Sequence, residues 1–192
     1  MSMDKAELRK IIRNKKRQFT QAQLGELSLS VISQLRNHPQ VKDAHTLLLY
    51  YSLPDEVNTH EWIHELAKEG KKVLLPVVID EEQMILREYT CEKDLAEGSF
   101  HILEPIGKIF PEEEYHLIET GIIPGMGFDD DGNRLGRGKG YYDRFLEKQR
   151  ACALAHHSKE LYKIGICFGF QKANHIPTDI HDIKMDEVIT TD

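Results

Sequence analysis

Apolar residues recur three and four positions apart in several segments, and this spacing is typical of one face of a helix. In the first such segment, Leu8, Ile11 and Ile12 are expected to share one side. The second begins with a capping box, in which Thr20 is followed three residues later by Gln23. The predicted helices are residues 4–17, a segment from Thr20 to the residue before Pro39, a segment that Asn58 or Thr59 caps and Gly70 ends, and residues 139–150.

Short apolar runs lie between these helices and predict strands. The runs are residues 45–51, 71–79, 83–90, 116–125, 162–168 and 187–190. A short acidic turn separates the second run from the third, which indicates a hairpin. Strands that alternate with helices predict an α/β sandwich with a mainly parallel sheet, and ligands of such sheets bind beyond the carboxyl ends of the strands. Because no repeat or linker interrupts the pattern, we expect a single domain over residues 1–192.

The composition indicates a soluble globular protein. Of the 192 residues, 40% are hydrophobic and 30% are charged. No apolar run approaches the roughly 18 residues that a membrane span needs. The first ten residues lack an apolar core and include Asp4 and Glu7, so we expect neither a secretory signal nor a transit peptide. Cys91, Cys152 and Cys167 are scattered and form no C-x-x-C pair, so we expect reduced thiols in the cytoplasm.

The charge is unevenly distributed along the chain. The net charge of −7 argues against binding nucleic acid through the overall charge. Residues 5–17 contain seven cations and one anion, a net charge of +6, and residues 132–144 contain four cations and one anion, a net charge of +3. Two basic segments in an acidic protein favour small anionic ligands.

The most unusual segment is GRGKGYYD, residues 136–143, which follows a predicted strand and precedes a predicted helix. Glycines let several backbone N–H groups point toward one ligand, and a helix N-terminus adds more. Arg137 and Lys139 add positive charge, so the loop is suited to holding phosphate. It matches neither the Walker A pattern nor G-x-G-x-x-G. A flexible basic surface loop is the alternative, but the adjacent Tyr141 and Tyr142 favour a ligand site.

Two other patterns suggest metal sites but are interpreted otherwise. HEWIH at residues 60–64 matches the H-E-x-x-H pattern of zinc proteases, yet His60 and His64 are expected on the solvent side of their helix. DDDGN at residues 129–133 leads to glycine at the twelfth position of a calcium loop, where glutamate is needed. A turn is therefore the expected structure there.

Polar and aromatic residues also follow the first predicted strand. Tyr50, Tyr51, Asp55 and Glu56 are expected at the ligand edge of the sheet. Taken alone, they are equally consistent with packing at a strand end and with ligand binding.

The segment PGMGFDDDGNRLGRGKGYYDRFL, residues 124–146, closely resembles the 5-formyltetrahydrofolate cyclo-ligase family. KAELR (5–9), YYSLPDEVNT (50–59) and HDIKMDEV (181–188) resemble other segments of that family, in the same order and at similar spacing. The resemblance covers nearly the whole chain. It implies a three-layer α/β fold, with a mainly parallel sheet flanked by helices, similar to ribose-5-phosphate isomerase and CoA transferases.

The resemblance also implies an activity. It is the cyclisation of 5-formyltetrahydrofolate to 5,10-methenyltetrahydrofolate, which depends on ATP and Mg²⁺ and releases ADP and phosphate. Phosphorylation of the formyl oxygen gives an iminium phosphate that a neighbouring nitrogen can attack. Such a reaction needs positioning and charge neutralisation more than a protein nucleophile. The expected partners are reduced folate and ATP, without nucleic acid or membrane, and the protein is expected to be a cytoplasmic monomer.

Roles for individual residues follow from the same resemblance. Arg137 and Lys139 are implied to be catalytic, because they would stabilise the transferring phosphoryl group. Asp143 and Asp182 are the implied Mg²⁺ ligands. The implied substrate-binding residues are Tyr51, Glu56, Arg137 and Tyr141. The implied ATP-binding residues are Lys5, Arg9, Arg134, Leu135, Gly136, Arg137, Gly138, Lys139, Gly140, Tyr141 and Tyr142.

Two other functions remain open at this point. A sugar-phosphate isomerase could share the fold, but it would need neither ATP nor a basic N-terminal helix. A nucleic-acid-binding protein could use residues 5–17, and its affinity would then fall steeply with salt.

Overall fold

The computed structural model describes residues 3–98 and 102–191, and a seven-stranded sheet runs through them. In spatial order its strands are β11 (Glu187–Thr190), β10 (Tyr162–Cys167), β7 (Thr120–Pro124), β1 (Thr46–Leu48), β2 (Lys72–Val78), β3 (Met84–Tyr89) and β6 (Ile109–Phe110). The first five strands are parallel to one another, whereas β3 runs antiparallel to β2 and β6 antiparallel to β3. The predicted hairpin and the mainly parallel sheet are therefore confirmed.

Helices cover both faces of this sheet. They are α1 (Lys5–Lys16), α2 (Gln21–Asn37), α3 (Pro39–Asp43), α4 (His60–Lys68) and α5 (Tyr141–Ala155), with short 3-10 helices at Glu92–Asp94, Glu112–Leu117 and Gly169–Gln171. Successive side chains of a strand point to opposite faces. Leu47 accordingly packs in a buried cluster with residues of α2, α3 and α4, while Leu48 belongs to a second cluster with α5. The layers are helix, sheet and helix, as predicted.

Helix α1 lies outside these two layers and packs on a small hairpin. The hairpin pairs β8 (Gly127–Phe128) with β9 (Arg134–Leu135), and a further short pair joins β4 (Leu95–Glu97) to β5 (Leu103–Pro105). Leu8 and Ile12 of α1 are buried in a cluster with Leu135 and Ile176. The hairpin leads directly into the glycine loop, so this packing brings the basic helix beside that loop.

Most predicted boundaries hold, and the exceptions have local causes. The capping box of α2 is present, with Thr20 accepting from the backbone N–H of Gln23. Ile11 is exposed, so only two of the three apolar residues expected on the buried side of α1 are buried. Pro39 follows the end of α2, as predicted, and begins the short helix α3, which was not predicted. Helix α5 starts after Gly140, whose φ of +70° is left-handed and non-helical.

Gly121 occupies a regular position in β7, paired with Leu48 on one side and Lys163 on the other. A Cβ at Gly121 would lie 2.7 Å from Cδ1 of Leu161, so close packing leaves no room for a side chain there. In the part of the chain that the structure describes, no helix is both long and apolar enough to cross a membrane.

Candidate functional site

The glycine loop, residues 136–140, connects β9 to α5 at the edge where the parallel strands end. Gly138 has a φ of +104° and Gly140 a φ of +70°, conformations that side chains other than glycine rarely adopt. Gly140 is also the N-cap of α5, and among the described residues no side chain makes a capping hydrogen bond there. The first N–H groups of the helix and the positive end of its dipole are therefore available to an anion.

A cavity of about 330 Å³ opens between this loop and the carboxyl ends of β1, β2 and β7. This volume suits a small-molecule ligand. The cavity brings together nine of the residues that the sequence predicts for the site. They are Tyr51, Glu56, Arg134, Gly136, Arg137, Lys139, Gly140, Tyr141 and Tyr142.

The apolar wall of this cavity was not predicted from the sequence. The wall combines the ends of β2 and β5 with the start of β3, through Pro76, Val77, Val78, Met84, Ile102, Leu103 and Pro105. Val78 is 54% exposed and Ile102 is 38% exposed, although both are large and apolar. A sequence signal existed for β2, whose apolar run continues past its buried part. Ile102 and the residues of β5 lie far from β2 in the sequence, and no local pattern marks them as part of a site.

Arg137 is held at the cavity by two carboxylates. Its Nη2 atom donates to Oε1 of Glu56 at 2.9 Å and to Oδ1 of Asp55 at 3.2 Å. Glu56 is itself fixed, because its Oε2 accepts from the backbone N–H of Leu53 at 2.9 Å. Burial alone would lower the pKa of Arg137, but the charges of Glu56 and Asp55 outweigh it and raise that pKa. The guanidinium therefore stays positively charged.

Asp55 is held in turn by Lys16, at the end of α1. The Nζ atom of Lys16 donates to the backbone carbonyl of Asp55 at 2.7 Å and to its Oδ2 at 3.1 Å. Lys16 is buried, with 5% of its side chain exposed. Burial would raise the pKa of Asp55, but the charges of Lys16 and Arg137 and their hydrogen bonds lower it below its ordinary value. No local sequence pattern indicates this link between residues 39 positions apart.

Arg134 and Asp143 form an ion pair beside the loop, with 2.9 Å between Nη2 and Oδ2. The guanidinium of Arg134 also lies over the ring of Tyr142, 5.5 Å from its centroid. Burial, together with the charge of Glu56, raises the pKa of the Tyr142 hydroxyl, so it stays protonated. The Nε atom of Arg134 is buried and has no hydrogen-bond partner among the described residues.

The C-terminal segment that contains Asp182 also contacts Asp143, the other predicted metal ligand. Oδ1 of Asp143 accepts from the backbone N–H of Ile183, the residue next to Asp182, at 3.3 Å. Oδ2 of Asp182 accepts from Nζ of Lys5 at 2.5 Å and from the backbone N–H of Asp179 at 2.7 Å. Each predicted metal ligand is thus paired with a cation of the predicted nucleotide site. Carboxylate oxygens are ligands that Mg²⁺ prefers, so the donor chemistry fits this metal.

The remaining predicted residues differ in how they face the site. Arg9 donates from Nε to the backbone carbonyl of Gly136 at 2.8 Å, which joins α1 to the loop. The Tyr141 hydroxyl donates to the carbonyl of Asp80 at 2.9 Å. Lys139 is exposed at the cavity, and within residues 3–98 and 102–191 it makes no hydrogen bond or ion pair. Leu135 packs against Leu8 and Ile12 of α1 and does not line the cavity.

The two histidines of the HEWIH segment do not form a metal site. The ring of His60 stacks on Tyr51 with 3.8 Å between centroids, and its Nε2 lies 2.8 Å from the carbonyl oxygen of Ser52. The expectation that His60 faces solvent is therefore wrong, because its side chain is only partly exposed and stacks on Tyr51. Nδ1 of His64 lies 3.5 Å from the hydroxyl of Tyr89. Each histidine has a separate partner.

The DDDGN segment is a turn, as predicted. Oδ1 of the buried Asp129 accepts from the backbone N–H groups of Asp131 and Asn133 at 3.1 and 2.9 Å. Gly132 adopts a φ of +79° in the same turn. The carboxylate of Asp129 thus fixes the β8–β9 connection that precedes the glycine loop.

Comparison with known proteins decides the family. The model of the 5-formyltetrahydrofolate cyclo-ligase family matches residues 1–191. The chain belongs to the 5-formyltetrahydrofolate cyclo-ligase family. A probable 5-formyltetrahydrofolate cyclo-ligase of Schizosaccharomyces pombe is 33% identical over 199 residues, covering 99% of this chain and 96% of the relative. The mouse 5-formyltetrahydrofolate cyclo-ligase is 33% identical over 174 residues, covering 86% of this chain and 82% of the relative.

Solved structures agree with this assignment. The NMR structure of Aquifex aeolicus 5,10-methenyltetrahydrofolate synthetase superposes with a TM-score of 0.80 at 33% identity, covering 98% of this chain and 90% of that one. The Mycoplasma pneumoniae 5,10-methenyltetrahydrofolate synthetase gives a TM-score of 0.72 at 25% identity, covering 97% of this chain and 98% of that one. The predicted fold and the prediction of an enzyme of the cyclo-ligase family are confirmed.

Proposed function

We propose that the protein cyclises 5-formyltetrahydrofolate to 5,10-methenyltetrahydrofolate, consuming ATP with Mg²⁺ and releasing ADP and phosphate. The observation that carries this proposal is the division of the cavity into two chemically different walls. One wall is the glycine loop with Arg137 and Lys139, and the other is the apolar surface from β2 and β5. A triphosphate suits the first wall, and a flat ring system suits the second.

The phosphate wall supplies charge without a nucleophile. Lys139 is free of ion pairs in the described part of the chain, and the N-terminus of α5 begins beside it. Lys5 and Arg9 extend the positive charge from α1, one turn apart on the same helix. Phosphoryl transfer depends on such positioning and electrostatic stabilisation. We infer that Lys139 contacts the transferring phosphoryl group directly.

The folate wall supplies shape and a few polar anchors. Tyr51 and Tyr141 line the cavity with the apolar residues of β2, and aromatic rings pack well against a flat heterocycle. Glu56 can accept from the adjacent N–H donors of a pterin edge. Because Glu56 already binds Arg137, a folate that engages Glu56 would also orient that guanidinium toward its formyl group.

The reaction then has two chemical steps. The formyl oxygen attacks the γ-phosphorus of ATP, and ADP leaves, which converts a poor leaving group into a phosphate ester. The neighbouring anilino nitrogen attacks the formyl carbon, loses its proton, and phosphate leaves as the carbon–oxygen bond breaks. Arg137 and Lys139 would neutralise the charge that develops on the transferring oxygens.

We further infer that Asp143 and Asp182 would hold Mg²⁺ together with phosphate oxygens. The metal, when bound, neutralises phosphate charge during transfer. Both acids form ion pairs, Asp143 with Arg134 and Asp182 with Lys5. These cations could turn to the nucleotide once the metal occupies the carboxylates.

The direct test incubates the protein with 5-formyltetrahydrofolate, ATP and Mg²⁺ and follows the absorbance of the conjugated methenyl product. Product should form only when all three components are present, and chelation of Mg²⁺ should stop it. Product formation without ATP would contradict the proposed reaction. If no ring closure occurs, turnover of a sugar phosphate would support the isomerase alternative. Salt-sensitive binding of nucleic acid without ring closure would support the nucleic-acid-binding alternative.

We also propose that residues 1–192 act as one domain, as a monomer in the cytoplasm, with small molecules as the only partners. Light scattering coupled to size-exclusion chromatography would measure the mass, and a mass of about one chain of 22.2 kDa is expected.

A further inference from the structure

A second cluster of reactive side chains lies at the far end of α5. Cys152 and His156 are one helical turn apart on this helix, and His116 comes from the 3-10 helix Glu112–Leu117 that packs against it. Cys152 follows Tyr141 by eleven residues, which is about 16 Å along the helix axis. The cluster is therefore separate from the glycine loop and takes no part in the proposed reaction.

The three side chains converge at short range. Sγ of Cys152 lies 3.7 Å from Nδ1 of His116 and 3.8 Å from Nδ1 of His156. The two imidazole rings are stacked, with 3.8 Å between centroids and 5° between planes. One ligand atom from each residue lies within 4.8 Å of the others. The ligand atoms of a tetrahedral zinc ion, each about 2.0–2.3 Å from the metal, lie about 3.4–3.6 Å apart.

The rings are already oriented by the backbone. Nδ1 of His116 lies 2.9 Å from the carbonyl oxygen of Glu113, and Nδ1 of His156 lies 2.9 Å from that of Cys152. Nε2 of neither ring has a hydrogen-bond partner within the described ranges, 3–98 and 102–191. The Nδ1 atoms, which converge on Sγ of Cys152, would exchange these carbonyl contacts for the metal, and the Nε2 atoms would remain free to donate to water. A metal lies in the plane of each imidazole that binds it, so at least one of the two parallel rings must rotate before both can bind. His116 and Cys152 are partly exposed and His156 is exposed, which leaves room for that rotation.

We propose that His116, Cys152 and His156 form a binding site for a transition-metal ion of the Zn²⁺ class, with water as the fourth ligand. A thiolate and two imidazoles favour such ions over Mg²⁺ and Ca²⁺, which prefer oxygen ligands. The site would therefore not compete for the Mg²⁺ of the proposed reaction. Because two ligands come from α5 and one from the 3-10 helix, the metal would clamp these two elements together.

The first experiment titrates the purified full-length protein with Zn²⁺ alone, in competition with a chromogenic chelator. We expect one tightly bound Zn²⁺ per chain. Cys152→Ser should weaken binding at least tenfold, and so should His156→Ala, which alters an exposed side chain at the helix end. His157→Ala is the matched control, since His157 is the exposed neighbour outside the cluster. Unchanged affinity in Cys152→Ser and His156→Ala would overturn the proposal.

The second experiment replaces Zn²⁺ with Co²⁺, whose absorption reports its ligands. Ligation by Cys152 should give a sulfur-to-cobalt charge-transfer band, which Cys152→Ser removes and Cys91→Ser retains. His64→Ala tests the HEWIH histidines as the competing site. Loss of metal binding in His64→Ala, or a Co²⁺ spectrum without sulfur ligation, would show that the metal binds elsewhere. Zn²⁺ should also raise the unfolding temperature of the wild type but not of Cys152→Ser.

Discussion

Replacing Lys16 with methionine tests how the cavity holds Arg137. Methionine keeps most of the length and apolar volume of lysine but removes the ammonium that binds Asp55 at 2.7 and 3.1 Å. Asp55 would keep its contact with Arg137 but would lose the group that fixes its backbone. Arg137 would then depend mainly on Glu56 for its position. The substitution therefore loosens the site without touching any residue that lines the cavity.

The expected loss of stability follows from the burial of the two partners. Breaking a fully buried ion pair costs about 3–5 kcal/mol. Lys16 is 5% exposed, but Asp55 is 45% exposed. After the substitution, the charge of Asp55 would still be paired with Arg137 and in contact with water. We therefore expect the free energy of unfolding to fall by about 1–2 kcal/mol. Catalytic efficiency for 5-formyltetrahydrofolate should fall about tenfold, which corresponds to about 1.4 kcal/mol.

The direction of the pKa shift adds a pH dependence. Folding lowers the pKa of Asp55 below its ordinary value of 3.8, because Lys16 and Arg137 outweigh the effect of burial. Such a group stabilises the folded state above its unfolded pKa, and this contribution is lost as the pH falls through the folded pKa. The stability difference between wild type and Lys16→Met should thus be constant near neutrality and narrow below about pH 4.

Urea unfolding and the ring-closure assay measure these effects, and Lys15→Met is the matched control. Lys15 is the exposed neighbour on the same helix, so its substitution should change neither quantity appreciably. If Lys16→Met behaves like Lys15→Met in both assays, Lys16 does not position Asp55 and Arg137. A loss of stability with unchanged catalytic efficiency would limit Lys16 to a structural role.

Three further substitutions test the proposed roles within the cavity. Lys139→Ala should lower turnover by about 10²–10³ without loss of stability, whereas Lys148→Ala, an exposed lysine of α5, should leave turnover near normal in the same assay. Tyr141→Ala should raise KM for folate more than KM for ATP, and the reverse ratio would move this ring to the nucleotide side. Asp182→Asn should raise the Mg²⁺ concentration needed for half-maximal activity at saturating ATP. Overlapping Mg²⁺ titrations of mutant and wild type would reject Asp182 as a ligand.

Local signals predicted most of the fold. The capping box at Thr20, the hairpin of β2 and β3 and the start of α5 near the glycine loop all depend on residues close in sequence. The loop itself was recognisable because alternating glycines and cations have few structural explanations. The apolar wall was not recognisable from the sequence, because Ile102 reaches the cavity only through the tertiary fold. The stacking of His60 on Tyr51 likewise depends on how the β1–α4 connection folds back.

The charges around the predicted metal ligands show why residue roles are harder to read than residue positions. The resemblance assigns Lys5 and Arg134 to the nucleotide, and Asp182 and Asp143 to the metal. In the structure these residues pair with each other, Lys5 with Asp182 and Arg134 with Asp143. These ion pairs give each carboxylate a positively charged partner, and Lys5 also binds Asp179. Under the proposed function, Mg²⁺ would replace the cations at Asp143 and Asp182, and phosphate oxygens would replace the carboxylates at Lys5 and Arg134. Because MgATP would supply both signs of charge, we expect it to exchange with both ion pairs together, whereas Mg²⁺ or ATP alone would leave the displaced partners without a counter-charge.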